Sequence, residues 1–155
     1  MAEGQIAVLI DHENVGLGAI QWLLEQLSDV GRVIIKRAYA DWSATGKESR
    51  EQVLALGIEA VQLFHSVGSA KNSSDIRLVI DAIDLLHQSP VDTFVVVSSD
   101  SDFVPLINRL RASGKTIIGA GRSKAVSLAL VKSCDRYIYL DQAEKPATKE
   151  PPARS

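Results

Sequence analysis

The sequence has few of the features that mark disulfide-rich, membrane-spanning or strongly basic proteins. Among its 155 residues there is one cysteine, Cys134, which excludes an intrachain disulfide and a zinc site built from several cysteines. No apolar segment approaches the roughly 18 residues that a membrane-spanning helix needs, so we expect no membrane partner. The formal net charge is −2, so only a local basic patch would attract a nucleic acid.

A single cysteine is also typical of proteins from a reducing compartment. The first five residues, MAEGQ, lack the basic and apolar regions of a signal peptide, and the sequence therefore predicts a cytoplasmic location. Aromatic residues make up 5 % of the chain, so few side chains are available to stack on bases, and we expect a modest intrinsic affinity for nucleic acid.

Short apolar runs, typical of buried strands, alternate along the chain with segments that have apolar residues at helical spacing. The predicted strands are Ile6–Ile10, Val33–Ala40, Ile58–Phe64, Thr93–Ser98, Thr116–Ala120 and Tyr137–Leu140. The predicted helices are Leu17–Leu27, Lys47–Leu56, Asp75–Leu86, Phe103–Ala112 and Ala125–Lys132. This alternation predicts an α/β fold with a mostly parallel sheet of five or six strands and helices on both of its faces.

The composition changes near the end of the sequence. Residues 143–155, AEKPATKEPPARS, contain three of the five prolines and no core-forming residue. We therefore expect residues 1–142 to form one domain, and residues 143–155 to be either a linker toward a further domain or a disordered tail.

Aspartates follow the predicted strands on the side where a parallel sheet gathers the carboxyl ends of its strands, which we call the carboxyl edge. Ligands of such sheets bind at this edge. Asp11 and Asn14 come after the first strand. Asp100 and Asp102 come after the fourth strand, and Asp75 begins a helix. If the first and fourth strands are neighbours, Asp11 and Asp100 lie side by side.

A group of carboxylates at one place is unfavourable unless something compensates its charge. Two such charges about 4 Å apart repel by about 1 kcal/mol in water, and by about 4 kcal/mol at an effective dielectric constant of 20. The group would therefore raise its pKa values or bind a cation. Oxygen ligands without cysteine or clustered histidine favour Mg²⁺ or Mn²⁺, which commonly serve phosphoryl chemistry.

Each aspartate also has a structural interpretation. Asp102, or Ser101 beside it, would cap the following helix, and Asp75 would favour its helix terminus through the helix dipole. Asp81 lies six positions after Asp75, about 240° further around an ideal helix. An i,i+4 pair with Arg77 then predicts an exposed or structural role for Asp81.

Four segments carry motifs in a definite order. Residues 10–14 read IDHEN, and residues 98–103 read SSDSDF. Lys71 and Asp75 precede VIDA at residues 79–82, and SCDRYI leads into the last strand. In this order and spacing, from about residue 6 to residue 140, the sequence resembles the NYN domain family, also called LabA-like, of the PIN-like nuclease superfamily. The family usually has glycine where this chain has Ser99.

The resemblance implies a Rossmann-like, PIN-like three-layer sandwich and metal-dependent cleavage of RNA by an endoribonuclease. The ligands for Mg²⁺ or Mn²⁺ carried over by position are Asp11, Asp75, Asp100 and Asp102. Asp81 matches a recurrent family aspartate and ranks second, and Asn14 is expected to position a metal-bound water or a phosphate. Bacterial relatives often carry a helical RNA-binding domain after a linker, so such a domain is an expected partner besides RNA. The sequence leaves a homodimer open.

Candidate RNA-binding residues lie at the same edge. Lys71 in a long loop, and Arg122 with Lys124 after the fifth strand, would contact phosphates. Ser123 would cap the next helix, whose terminal amides would also face a phosphate. Trp42 would stack on an unpaired base. The alternative is structural: isolated surface cations and a tryptophan that packs in the domain.

Two other function classes are left open beside a ribonuclease. A non-catalytic adaptor would keep the fold and bind RNA or protein. A phosphatase or other phosphotransferase would use the same sheet, although the haloacid dehalogenase type requires Asp-x-Asp directly after the first strand. The sequence has Asp11-His12-Glu13 there, which departs from that pattern.

Overall fold

The computed structural model describes residues 4–64 and 73–144, and these contain one six-stranded sheet. The strands are Gly4–Asp11 (β1), Gly31–Ala40 (β2), Glu59–Gln62 (β3), Thr93–Val97 (β4), Thr116–Gly121 (β5) and Arg136–Tyr139 (β6). Their order across the sheet is β3-β2-β1-β4-β5-β6, and all five pairings are parallel. The predicted α/β fold with a parallel sheet is confirmed.

Helices connect these strands. They are His12–Val15 (α1), Ile20–Gln26 (α2), Lys47–Ala55 (α3), Ser73–Gln88 (α4), Val104–Ala112 (α5) and Leu128–Ser133 (α6). Three short 3₁₀ segments lie at Leu27–Asp29, Ser101–Phe103 and Leu140–Glu144. Helix α1 was not predicted, because four residues are too few to show a helical period. Within the described ranges no helix is long and apolar enough to cross a membrane.

The alternation of side chains along the central strand divides the core into two layers. Ala7 and Leu9 of β1 pack with residues of α4 and α5 on one face of the sheet. Ile6, Val8 and Ile10 pack with residues of α2 and α3 on the other face. Because both faces of β1 are covered, its sequence is apolar almost throughout. The result is the Rossmann-like three-layer sandwich that the sequence predicts.

The strand order reverses between β1 and β4. From β1 the chain continues to β2 and β3 on one side, and then crosses over through α4 to β4 on the other side. Ile10 of β1 pairs with Val97 of β4, so the residues that follow these two strands begin next to each other. The adjacency on which the predicted acidic site depends is therefore present, and it lies at the point where parallel α/β sheets bind their ligands.

Two predicted features lie partly or wholly outside the described ranges. Lys71 belongs to residues 65–72, and most of the expected linker belongs to residues 145–155. The described chain ends in the 3₁₀ segment Leu140–Glu144, where Ala143 packs against the core.

Candidate metal centre at the carboxyl edge

Asp11 ends β1 on the face that α4 and α5 cover, because it continues the alternation of Ala7 and Leu9. Its side chain is fully buried. Oδ2 accepts hydrogen bonds from Asn14 Nδ2 at 2.6 Å and from Ser98 Oγ at 2.9 Å. Oδ1 is buried and has no hydrogen-bond partner among the described residues. A buried carboxylate oxygen without a partner is costly, so this atom is an available acceptor for a cation or a donor group.

Ser98 joins the first and fourth strand ends. Its Oγ donates to Asp11 Oδ2 and accepts from the backbone N–H of Asp100 at 3.1 Å. Its own N–H donates to the carbonyl of Ala120 at 2.9 Å, which extends the strand pairing by one residue. Ser98 belongs to the SSDSDF motif, from which no role for its side chain was predicted. The available signal was its parity with Phe94 and Val96, which places it on the same face as Asp11.

Asp100 is the residue that caps the turn after β4. Its backbone is extended (φ −84°, ψ 118°), and its Oδ1 accepts from the N–H of Asp102 at 2.9 Å. The alternative that Asp102 or Ser101 caps the following helix is wrong, since both lie inside the 3₁₀ segment and α5 begins after Phe103 without a side-chain cap. Capping occupies one carboxylate oxygen of Asp100 and fixes the orientation of the other.

Three carboxylates meet where α4 begins beside this turn. Asp75, Asp100 and Asp102 each have a carboxylate oxygen within 4.8 Å of those of the other two. Asp75 is 9 % exposed, Asp100 is half-buried and Asp102 is exposed. The group therefore extends from the interior, beside Asp11, to the protein surface, where a substrate has access.

Burial and mutual repulsion disturb the ionisation of this group. The pKa of Asp75 is raised to about 7, mainly by burial, and also by a hydrogen bond with the Asp100 carboxylate and by the charges of Asp100, Asp11 and Asp102. Burial also raises the pKa of Asp11, against the hydrogen bonds from Asn14 and Ser98, which lower it. Near neutral pH, Asp75 is thus partly protonated, in the place where a cation would bind.

The donor set fits a hard divalent ion. Mg²⁺ binds oxygen at about 2.1 Å, so opposite ligands of one ion lie about 4.2 Å apart. Oxygen atoms up to 4.8 Å apart need only small side-chain rotations to approach that spacing. Asp11 is not one of the three mutually close carboxylates, but its charge acts on Asp75, so its unpartnered Oδ1 belongs to a neighbouring carboxylate. The structure thus contains a group of three aspartates whose spacing would allow them to hold a divalent cation.

Asp81 lies elsewhere, in a buried polar network between α4 and β2. Its Oδ2 accepts from the hydroxyl of Tyr39 at 2.7 Å, and its Oδ1 accepts from Arg77 Nε at 3.2 Å. Arg37 Nη1 lies 3.5 Å from Oδ2. The predicted i,i+4 pair with Arg77 is confirmed. Both carboxylate oxygens are engaged, so the structure gives Asp81 structural contacts in place of the metal contact carried over from the family.

Trp42 makes packing contacts. It is 7 % exposed, its indole N–H donates to the carbonyl of Val61 at 3.0 Å, and its ring stacks on His12 with the centroids 4.9 Å apart. Stacking on an RNA base, as expected from the sequence, would require the ring to leave these contacts.

The basic residues after β5 lie at the expected edge. Arg122 is half-buried and Lys124 is exposed. Ser123 is not the cap of the next helix: its N–H and Oγ both donate to the Asp141 carboxylate, at 3.1 and 2.7 Å. Ser127 caps α6 by accepting from the N–H of Leu130, which is why the helix begins three residues later than predicted.

The comparisons with known proteins agree with this arrangement. The family model described as NYN domain matches residues 5–141, nearly the whole chain. An uncharacterized protein of Methanocaldococcus jannaschii is 31 % identical in an alignment of 147 residues that covers 90 % of this chain and 57 % of that protein. The chain thus spans little more than half of its archaeal relative.

A crystal structure from Vibrio parahaemolyticus, of a protein of unknown function, has the same fold. It superposes with a TM-score of 0.75 at 24 % identity, and covers 91 % of this chain and 95 % of its own. The likeness at this identity concerns the fold alone, whereas the family match also includes the motifs that form the acidic group. The chain belongs to the NYN domain family.

Proposed function

We propose that this protein is a ribonuclease that hydrolyses RNA phosphodiester bonds with the help of Mg²⁺ or Mn²⁺, as an endonuclease in the cytoplasm. The observation that carries the proposal is the meeting of three carboxylates within 4.8 Å, beside a buried Asp11 oxygen that has no described partner. Membership of a nuclease-like family supports it. The residues proposed to hold the ion are Asp11, Asp75, Asp100 and Asp102.

A divalent ion in this place would neutralise charge on a phosphate and lower the pKa of a water molecule. The chain's own residues prepare the site for it. Asn14 and Ser98 hold one oxygen of Asp11, and the cap at Asp102 N–H orients Asp100. The proton on Asp75 keeps the metal-free group from carrying its full negative charge near pH 7.

The RNA is proposed to lie across the carboxyl edge, with its phosphates near Arg122 and Lys124 and with Lys71 as a further contact. These residues offer few positive charges, and the net charge of the chain is −2. Tight binding would therefore depend on more than this domain. A helical RNA-binding domain beyond the linker is the partner that we propose for this purpose.

The experiment is a cleavage assay of the purified protein on labelled single-stranded and hairpin RNA, with Mn²⁺, Mg²⁺ or a chelator. Asp100→Asn and Asp11→Asn should abolish cleavage, because each removes a negative oxygen from the group. Asp84→Asn is the matched control, since this aspartate is exposed on α4. Cleavage that survives in both variants would come from a contaminant. RNA binding in chelator without any turnover would favour the adaptor, and hydrolysis of simple phosphate esters would favour a phosphatase.

A further inference from the structure

We infer that Tyr137 is a positioning residue of the acidic group, which it supports through the backbone of Ser98. The inference rests on the proposed function for its catalytic meaning. The Tyr137 hydroxyl donates to the carbonyl oxygen of Ser98 at 3.0 Å. Tyr137 belongs to β6 and Ser98 follows β4, so this bond crosses the whole of β5, a distance of roughly 10 Å between strand axes.

Two glycines of β5 make room for the phenol ring. Gly119 and Gly121 lie on the same face of the strand, and Gly119 pairs with Tyr137 in register. A Cβ atom on Gly119 would lie 2.6 Å from Tyr137 Cε1, and one on Gly121 would collide with the Tyr137 hydroxyl. The ring of Tyr137 therefore lies directly against the backbone of β5. Glycine is required at positions 119 and 121 because any larger side chain would collide with this ring or its hydroxyl.

Ser98 is the residue through which support from Tyr137 acts on the metal ligands. Its carbonyl accepts from Tyr137, and its hydroxyl contacts both Asp11 and the backbone of Asp100. A displacement of Ser98 would therefore move two proposed ligands, Asp11 at the end of β1 and Asp100 in the turn after β4. Burial raises the pKa of the Tyr137 phenol, so the group stays neutral and remains a donor.

Ser99 adds a second contact at this point. It stands where the family usually has glycine, and its side chain lies close enough to the Tyr137 phenol to offset part of the rise in the pKa of that phenol. The same hydroxyl would lie 2.6 Å from a Cβ atom on Gly121. In this chain, two consecutive residues of the β4–α5 turn thus contact one tyrosine. The turn that carries Asp100 and Asp102 is fixed from β6 as well as from β1.

The test compares Tyr137→Phe with Tyr139→Phe. Tyr139 is the matched control, because its ring is next to that of Tyr137, 5.3 Å between centroids, and its hydroxyl makes no hydrogen bond within the described part of the chain. Amide hydrogen exchange of Asp100 and Asp102 should become about fivefold faster in Tyr137→Phe, the effect of losing one neutral hydrogen bond. Core amides of β1 should not change, which separates positioning from a loss of global stability.

Mn²⁺ affinity, measured by calorimetry, should fall about fivefold in Tyr137→Phe and stay unchanged in Tyr139→Phe. Gly121→Ala, which pushes on the same hydroxyl without removing it, should change exchange and affinity in the same direction. Unchanged exchange of the Asp100 and Asp102 amides in Tyr137→Phe would overturn the inference, whatever the cleavage result. A wild-type protein that neither binds Mn²⁺ nor cleaves RNA would overturn the proposed function, while the exchange data would still decide whether Tyr137 holds the turn.

Discussion

Replacing Asp75 with asparagine should make the metal-free protein more stable, although it should destroy the proposed metal site. The pKa of Asp75 rises from 3.8 to about 7 on folding, so the folded state disfavours the ionised form. Above pH 7 this difference corresponds to about 4 kcal/mol, at 1.36 kcal/mol per pH unit. Residual contact with water and relaxation of neighbouring charges reduce the penalty, and we expect about 2 kcal/mol.

The sign of the pH dependence follows from proton binding. Below pH 4 the carboxyl is protonated in the folded and the unfolded state, and Asp75 carries no penalty. Between pH 4 and pH 7 the folded state binds more protons than the unfolded state, so the contribution of Asp75 to stability falls as the pH rises. Asparagine carries no charge at any pH. The gain from Asp75→Asn should therefore be partial at pH 5, which lies above the unfolded pKa of 3.8, and complete at pH 8.

The assay is urea unfolding in a chelator at pH 5 and pH 8, followed by the fluorescence of Trp22 and Trp42. In a separate thermal unfolding experiment, a gain of about 2 kcal/mol in the free energy of unfolding would raise the melting temperature by about 4–8 °C for a domain of this size. Asp84→Asn, exposed on the same helix, is the control and should change little. The wild type should recover stability when Mn²⁺ is added, by about 2.7 kcal/mol at a hundredfold excess over the dissociation constant, whereas Asp75→Asn should not. Equal or lower stability of Asp75→Asn at pH 8 would show that the Asp75 carboxylate does not destabilise the metal-free fold.

Three further outcomes are expected. Ser98→Ala should weaken Mn²⁺ binding in calorimetry and lower the free energy of unfolding by about 1 kcal/mol, because it removes the hydroxyl between the strand ends. Tyr39→Phe should lower the free energy of unfolding by about 1–3 kcal/mol, because Asp81 loses a buried hydrogen-bond donor. The Mn²⁺ affinity should stay within about twofold of the wild type. A large loss of affinity would show that Asp81 contributes to metal binding. In urea unfolding, Ser127→Ala should lower the free energy of unfolding by about 1 kcal/mol, because it removes the cap of α6, and Ser123→Ala should lower it clearly less. A larger loss in Ser123→Ala would contradict the assignment of Ser127 as the cap.

The sheet was predictable because its information is local. Each strand is a short apolar run, and the run at Ile6–Ile10 is apolar throughout since helices cover both faces of β1. The same pattern places Asp11 and Asp100 directly after strands. The sequence did not determine that β1 and β4 are neighbours in the sheet. Their adjacency depends on the path of the whole chain between them.

The contacts between side chains were less predictable. The network of Asp81 joins residues 42 positions apart, Tyr39 and Asp81, and nothing in either segment announces the other. The caps were misassigned because a cap depends on which residue has extended backbone angles, and that residue is Asp100 after β4 and Ser127 before α6. Sequence alone offered several polar residues for each place.

The adjacency of β1 and β4 has a consequence during synthesis of the protein. Asp11 and Ser98, which share a hydrogen bond, are separated by 87 positions. When the first strand leaves the ribosome, the residues that complete its carboxylate environment have not been translated. Contacts of such long range form late in folding, so a nascent or truncated chain would contain the first aspartate without the serine and the other aspartates that surround it in the folded domain. Any reaction at the carboxyl edge would therefore begin only after the whole domain has been translated and folded.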